Sequence, residues 1–245
     1  MEKNTSSSDP RLFATTHWSV VLAVQDDDPT RAHEALEKLC HSYWYPLYSY
    51  LRRHEYSPPD AEDLIQGFFE QLLERHALNK ANPERGRFRT FLLSCLKKFV
   101  ADQHDRAGRQ KRGGGRAPLS LDIPDAEQRY NGALRSDETP EQHYERQWAA
   151  TTVMKVLDQL RVEAAAQGYG ELLGNLQSTL TGDKPSIPYA NLAGRLGLSE
   201  GAVKMAAHRL RKRYRALFRD EIANTVDRPE EVEEEIAHLF QVLSR

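Results

Sequence analysis

Between Lys204 and Arg219 the chain places basic side chains at Lys204, His208, Arg209, Arg211, Lys212 and Arg215, with no acid among them. Side chains of this kind bind rather than react. Arginine and lysine pair with phosphate oxygens, which positions a protein on DNA, or fork onto base edges, which reads sequence. A second basic cluster runs from Lys97 to Arg116, with Phe88 and Phe91 leading into it and Phe99 within it. Aromatics interleaved with cations suit a single strand, whose bases stack while its phosphates meet the charge. Bond-making chemistry has no comparable set. There is no Gly-rich phosphate loop, no His-Glu-X-X-His and no cysteine pair at metal spacing. The nine histidines are scattered, and Cys40-His41 reads as structural. The expectation is a binding protein, not an enzyme, with no cofactor and no metal.

Presenting the first cluster to DNA requires a rigid element. In Tyr189-Ala-Asn-Leu-Ala-Gly-Arg-Leu-Gly-Leu198, Leu192, Ala193 and Leu196 recur at helical spacing, and Pro188 suits a first turn. Gly197 can adopt the left-handed conformation that ends a helix. Ser199 is placed to cap the next helix, with Glu200 beside the positive end of its dipole. In that helix Val203, Ala206, Leu210, Tyr214 and Leu217 make one apolar stripe. Ser199, Glu200, Gly201, Lys204, Met205, His208, Arg209 and Lys212 fall off it and are the candidate contacts to duplex DNA. Ala206 and Ala207 let two helices approach closely. The pattern predicts a helix-turn-helix, which sets the start of its second helix in the major groove. A merely solvated basic face would show the same charge. The Leu-Gly-Leu-Ser turn and the paired alanines favour the DNA reader.

The second cluster rides on a helix expected from Arg87 toward Arg106, after a turn at Asn82–Gly86. Phe88, Phe91, Leu92, Cys95, Leu96 and Phe99 form its apolar side, so most of these aromatics are expected in the core. Lys97, Lys98 and Arg106 supply charge, with Arg109, Lys111 and Arg112 beyond its end. Before it, Thr16 is expected to cap a short helix burying Trp18, Val21 and Leu22. A longer helix starts near Thr30, and Pro46 is expected to kink or interrupt it. Pro58-Pro59-Asp60 opens another, with Asp60 as cap and Leu64, Ile65, Phe68, Phe69, Leu72 and Leu73 facing a core. Asp63, Gln66 and Glu70 lie opposite; their spacing fits a solvated face and a protein contact surface equally.

A chain of 245 residues fits one large or two small domains. The expected division is a disordered N-terminus over 1–12, a helical domain over 13–112, a flexible linker over 113–140 opened by Gly113-Gly114-Gly115, a second helical domain over 141–226, and an acidic C-terminal helix over 227–245. The second domain begins with a helix from about Glu141 that ends at Gly168 and Gly170, followed by a short one carrying Leu172, Leu173, Leu176 and Leu180. In the tail Val232, Ile236, Leu239, Phe240 and Leu243 share one face, expected to pack on the DNA-reading domain. No strand signal appears, so the fold class is all-α. The net charge of −2 excludes a uniformly basic chain, and the charge is segregated, which points to local anionic partners. Cys40 and Cys95 sit on apolar stripes and read as free thiols, natural in a reducing cytoplasm. No signal peptide and no apolar run of membrane-spanning length is present, so no membrane insertion is expected.

Two helical halves, each with a basic surface, resemble RNA polymerase sigma factors of the extracytoplasmic-function group, within the sigma-70 family. Leu47-Tyr48-Ser49-Tyr50-Leu51-Arg52-Arg53, Asp60-Ala61-Glu62-Asp63-Leu64-Ile65-Gln66 and Phe88-Arg89-Thr90-Phe91-Leu92 are similar to motifs of sigma region 2. Leu198-Ser199-Glu200-Gly201-Ala202-Val203-Lys204 is similar to the recognition helix of region 4. The resemblance covers most of 15–110 and 145–222. It implies that Asp63, Gln66 and Glu70 dock on core RNA polymerase. It implies that Phe88, Arg89, Phe91, Lys97, Lys98 and Arg106 serve the opened −10 element, and that the helix from Ser199 reads the −35 element of promoter DNA. An anti-sigma factor or another regulator is a further implied partner. The sequence departs from the pattern at Lys98, where many relatives have Asn, and at Phe91, where Trp is frequent. The stretch from Trp148 to Pro188 is longer than the usual start of region 4, and the acidic tail lies outside the minimal pattern. A DNA-binding regulator that never joins polymerase is the rival reading, and the Asp60–Gln66 motif argues against it.

Overall fold

The computed structural model describes residues 29–74, 86–107, 126–134, 137–181, 187–226 and 228–244. Among them the regular structure is helical, with no strand, as the all-α expectation requires. The expected N-terminal disorder, the helix at Thr16, residues Asn82–Arg85 and the triple glycine lie outside the described residues. Two compact units divide the chain. One takes residues up to Tyr144 together with Ala223–Glu231, the other Glu145–Ile222 with Val232–Arg245.

In the first unit α1 (Pro29–Arg53), α2 (Pro58–Glu74) and α3 (Phe88–Ala107) pack against one another. Tyr43 meets Phe88 edge-on at 5.5 Å and Phe68 meets Phe99 at 5.8 Å. Gly67 faces the Phe99 ring, where an added Cβ would stand at 3.4 Å, in van der Waals contact. The helix α1 is not interrupted at Pro46. The Pro46 carbonyl accepts a hydrogen bond from the Ser49 hydroxyl at 2.8 Å. At the start of α2 the cap is Ser57, not Asp60. The Asp60 amide donates to Ser57 Oγ at 3.3 Å, while Ser57 Oγ donates to the Asp60 carboxylate at 2.5 Å. Two prolines follow the cap at positions where a helix has no use for their missing N–H groups.

The stretch expected as a flexible linker behaves differently where it is described. Ala126–Ala133 is a helix, α4, fixed to α1. Glu127 accepts from Arg52 at 2.6 and 3.0 Å and from the Tyr48 hydroxyl at 2.5 Å. Arg129 lies 3.6 Å over the Tyr45 ring, and Tyr130 is buried. Weak periodicity hid this helix, because two polar side chains and one ring hold it rather than a broad apolar stripe.

The helix α5 (Pro140–Ala166) starts with a reciprocal cap. The Gln142 amide donates to Thr139 Oγ1 at 3.2 Å, and the Thr139 amide donates to Gln142 Oε1 at 2.9 Å. It ends where Gly168 takes φ +76° and the Tyr169 amide donates to the Ala164 carbonyl at 2.7 Å. The second unit continues with α6 (Gly170–Leu176), a 3-10 turn over Gln177–Thr181, α7 (Tyr189–Leu196) and α8 (Glu200–Ala223). A 3-10 turn at Pro229–Glu231 precedes α9 (Val232–Ser244). The tail packs on α8, with Phe240 5.6 Å from Phe218 and Glu233 paired with Arg219. Its buried face is rotated from the expected one. Val232, Glu235, Leu239 and Val242 are buried, whereas Phe240 is exposed. Cys40 is buried and Cys95 half-buried.

Candidate nucleic-acid interface

The turn between α7 and α8 follows from its residues. Gly197 adopts φ +64°, and its amide and that of Leu198 both donate to the Ala193 carbonyl. Ser199 Oγ then accepts the Ala202 amide at 3.1 Å, which satisfies one of the orphan donors of α8. Val203, Ala206, Ala207, Leu210, Tyr214, Leu217, Phe218 and Ile222 are buried. Burial pushes the Tyr214 hydroxyl above its ordinary range. All eight residues expected on the duplex-facing side, Ser199, Glu200, Gly201, Lys204, Met205, His208, Arg209 and Lys212, are exposed. The buried stripe therefore aims them outward as one set. Met205 is 62% exposed, and Lys204 pairs with Glu200 one turn back at 2.6 Å.

Two residues far away in sequence reach the flank of this helix. The Arg209 guanidinium lies 5.8 Å from the centroid of the Tyr169 ring. Arg213 donates through Nε and Nη2 to the two carboxylate oxygens of Glu163, both at 2.7 Å. Each partner perturbs the other. The Arg213 bonds hold the Glu163 carboxyl below its usual range, and Glu163 pushes the Arg213 guanidinium up. Helical spacing within α8 could not reveal Tyr169 or Glu163, because they come from the end of α5 and the turn after it.

In the first unit the expected strand-binding set is split. Lys97 and Lys98 on α3 are exposed and Phe91 is half-buried. Phe88 and Arg89 are each only 1% exposed, which corrects their assignment as strand contacts. Phe88 belongs to the core stripe, and the Arg89 carbonyl accepts the Tyr144 hydroxyl at 3.0 Å. Arg106 lies within α3, but its side chain is outside the described residues, as are Arg109, Lys111 and Arg112. Lys97 donates to Glu141 at 2.7 Å and stands 5.7 Å from the Tyr50 ring centroid. The bond to Glu141 raises the Lys97 ammonium and lowers the Glu141 carboxyl. On α2, Asp63 is exposed, while Gln66 and Glu70 are half-buried and joined at 3.3 Å. They share one face at steps of three and four residues. Among the described residues there is no cluster of His, Cys, Asp and Glu fit to hold a metal, and no helix is long and apolar enough to cross a membrane.

Residues 40–110 match the family described as Sigma-70 region 2. The match spans α2 and α3 and the second part of α1, well under half of the chain, and it supports a sigma factor of the sigma-70 family. No curated protein and no solved structure matches.

Proposed function

We propose that the chain is a promoter-specificity subunit of the extracytoplasmic-function type, acting in the cytoplasm and supplying no chemistry of its own. The observation that carries this reading is a Sigma-70 region 2 match followed, in the same chain, by a serine-capped helix-turn-helix with an outward basic face. Duplex DNA calls for a helix in the major groove, and α8 offers its first turns for bases and its later cations for phosphates. An opened strand calls for cations beside a stacking surface, which Lys97, Lys98 and Phe91 supply on α3. The Asp63, Gln66 and Glu70 face supplies the contact to core RNA polymerase, whose own site performs RNA synthesis.

The test is transcription in vitro by core RNA polymerase with the full chain and a promoter library. Initiation at promoters sharing a −10 and a −35 element is the expected result. Duplex binding without any initiation, and without association with core enzyme, would instead identify a DNA-binding regulator.

A further inference from the structure

The last turns of α5 bring a carboxylate, and the turn after it an aromatic ring, to the same side of α8, and the two treat neighbouring arginines in opposite ways. Arg209 and Arg213 stand one turn apart and border a groove of about 180 Å³ floored by Leu160, Ala164, Ala206 and Leu210. Arg209 lies against the face of Tyr169. A ring face attracts a cation through its quadrupole, so it fixes the guanidinium while leaving its charge and its N–H donors available. Among the described residues, none hydrogen-bonds to the Arg209 guanidinium. Glu163 does the reverse to Arg213. It consumes two donors of the fork and cancels the charge.

We propose that Tyr169 and Glu163 are positioning residues that decide which cations of the recognition helix meet the DNA backbone: Tyr169 presents Arg209 to a phosphate, and Glu163 withholds Arg213 from one. The assignment rests on the reading of α8 as a duplex-binding helix. It gives a role to the long segment before the helix-turn-helix, whose exit turn is set by Gly168 at φ +76° and by the Tyr169 amide bonded to Ala164. Tyr169 is 37% exposed, so its ring is free to be changed without opening a core.

The experiment measures binding of the full chain to a labelled random-sequence DNA duplex across a salt series, for wild type, Tyr169→Leu, Tyr169→Phe, Arg209→Ala, the Tyr169→Leu/Arg209→Ala double variant and Glu163→Gln, each checked for helix content. Tyr169→Leu is expected to weaken binding by about two- to fivefold, the strength of an exposed cation–ring contact, while Tyr169→Phe keeps wild-type affinity. The double variant is expected to bind like Arg209→Ala, since the ring acts only through that arginine. Glu163→Gln is expected to tighten binding and to steepen the salt dependence by about one phosphate contact. Losses that add in the double variant, or weaker binding by Glu163→Gln, overturn the assignment and leave the recognition-helix reading intact. An Arg209→Ala variant that binds like wild type overturns both.

Discussion

Arg89 and Lys98 separate two meanings of a basic residue on one helix. Both belong to α3, yet the first is 1% exposed and the second is open to solvent. A guanidinium buried this completely belongs to the packed interior of the first unit and offers no surface for a strand to reach. Arg89→Ala is therefore expected to destabilise the first unit by at least about 1–3 kcal/mol, the cost of leaving buried partners behind, with unchanged strand binding by the protein that remains folded. Lys98→Ala is expected to show the opposite pattern: an unchanged melting temperature and weaker binding to an opened promoter strand. Thermal unfolding followed by fluorescence anisotropy with single-stranded DNA checks both. On α8 the same logic applies to Lys204. Lys204→Ala is expected to lower duplex affinity, and by roughly 1–3 kcal/mol at one position of the site if the ammonium touches a base edge. A competition series with single base-pair changes distinguishes that from a loss shared by every sequence.

The elements that the sequence made legible are those whose punctuation is local. Gly197 and Ser199 mark the turn of the helix-turn-helix, and the structure gives each the conformation or bond its type suggests. The buried stripe of α8 was also visible in its spacing. What escaped is a choice between two neighbouring cap residues and whatever depends on partners distant in sequence. Ser57 rather than Asp60 caps α2, because the first residue with a free oxygen ahead of the prolines takes the cap and Asp60 returns the bond. The helix α4 was hidden because its anchors, Tyr48 and Arg52, lie 79 and 75 residues before Glu127. Ser57→Ala is expected to cost about 1 kcal/mol, as loss of a helix cap does. The α4 anchor adds a pH dependence with a definite sign. The Arg52 and Tyr48 bonds depress the Glu127 carboxyl when folded. Its contribution is therefore complete above the ordinary carboxylate pKa and disappears as the pH falls through the lower folded value. Glu127→Gln is expected to flatten the acid limb of the first unit's unfolding profile, and urea unfolding at pH 7 and at pH 3 measures the difference.

Across the whole chain, a net charge of −2 coexists with a helix, α8, whose exposed face is basic and is proposed to meet DNA. Attraction to DNA must then be local and strongly screened by salt. If three side chains of α8 meet phosphates, affinity is expected to fall roughly forty-fold between 50 and 200 mM salt, and a flat response would remove those contacts. The polymerase docking proposed for the other unit would obey different electrostatics. Asp63 lies exposed on α2, within the region 2 match and on a separate compact unit from Arg209. Reversing its charge should therefore act on one partner alone. Asp63→Lys is expected to reduce association with core RNA polymerase at least several-fold, because a rim charge facing its complement becomes a like-charge contact. Duplex binding by the same variant should stay within error of wild type. Pull-down of core enzyme and anisotropy with duplex DNA, run on the same preparation, decide the matter. Equal capture of core enzyme by both proteins would show that this face of α2 is solvated, and would return the rival reading of a regulator that works without polymerase.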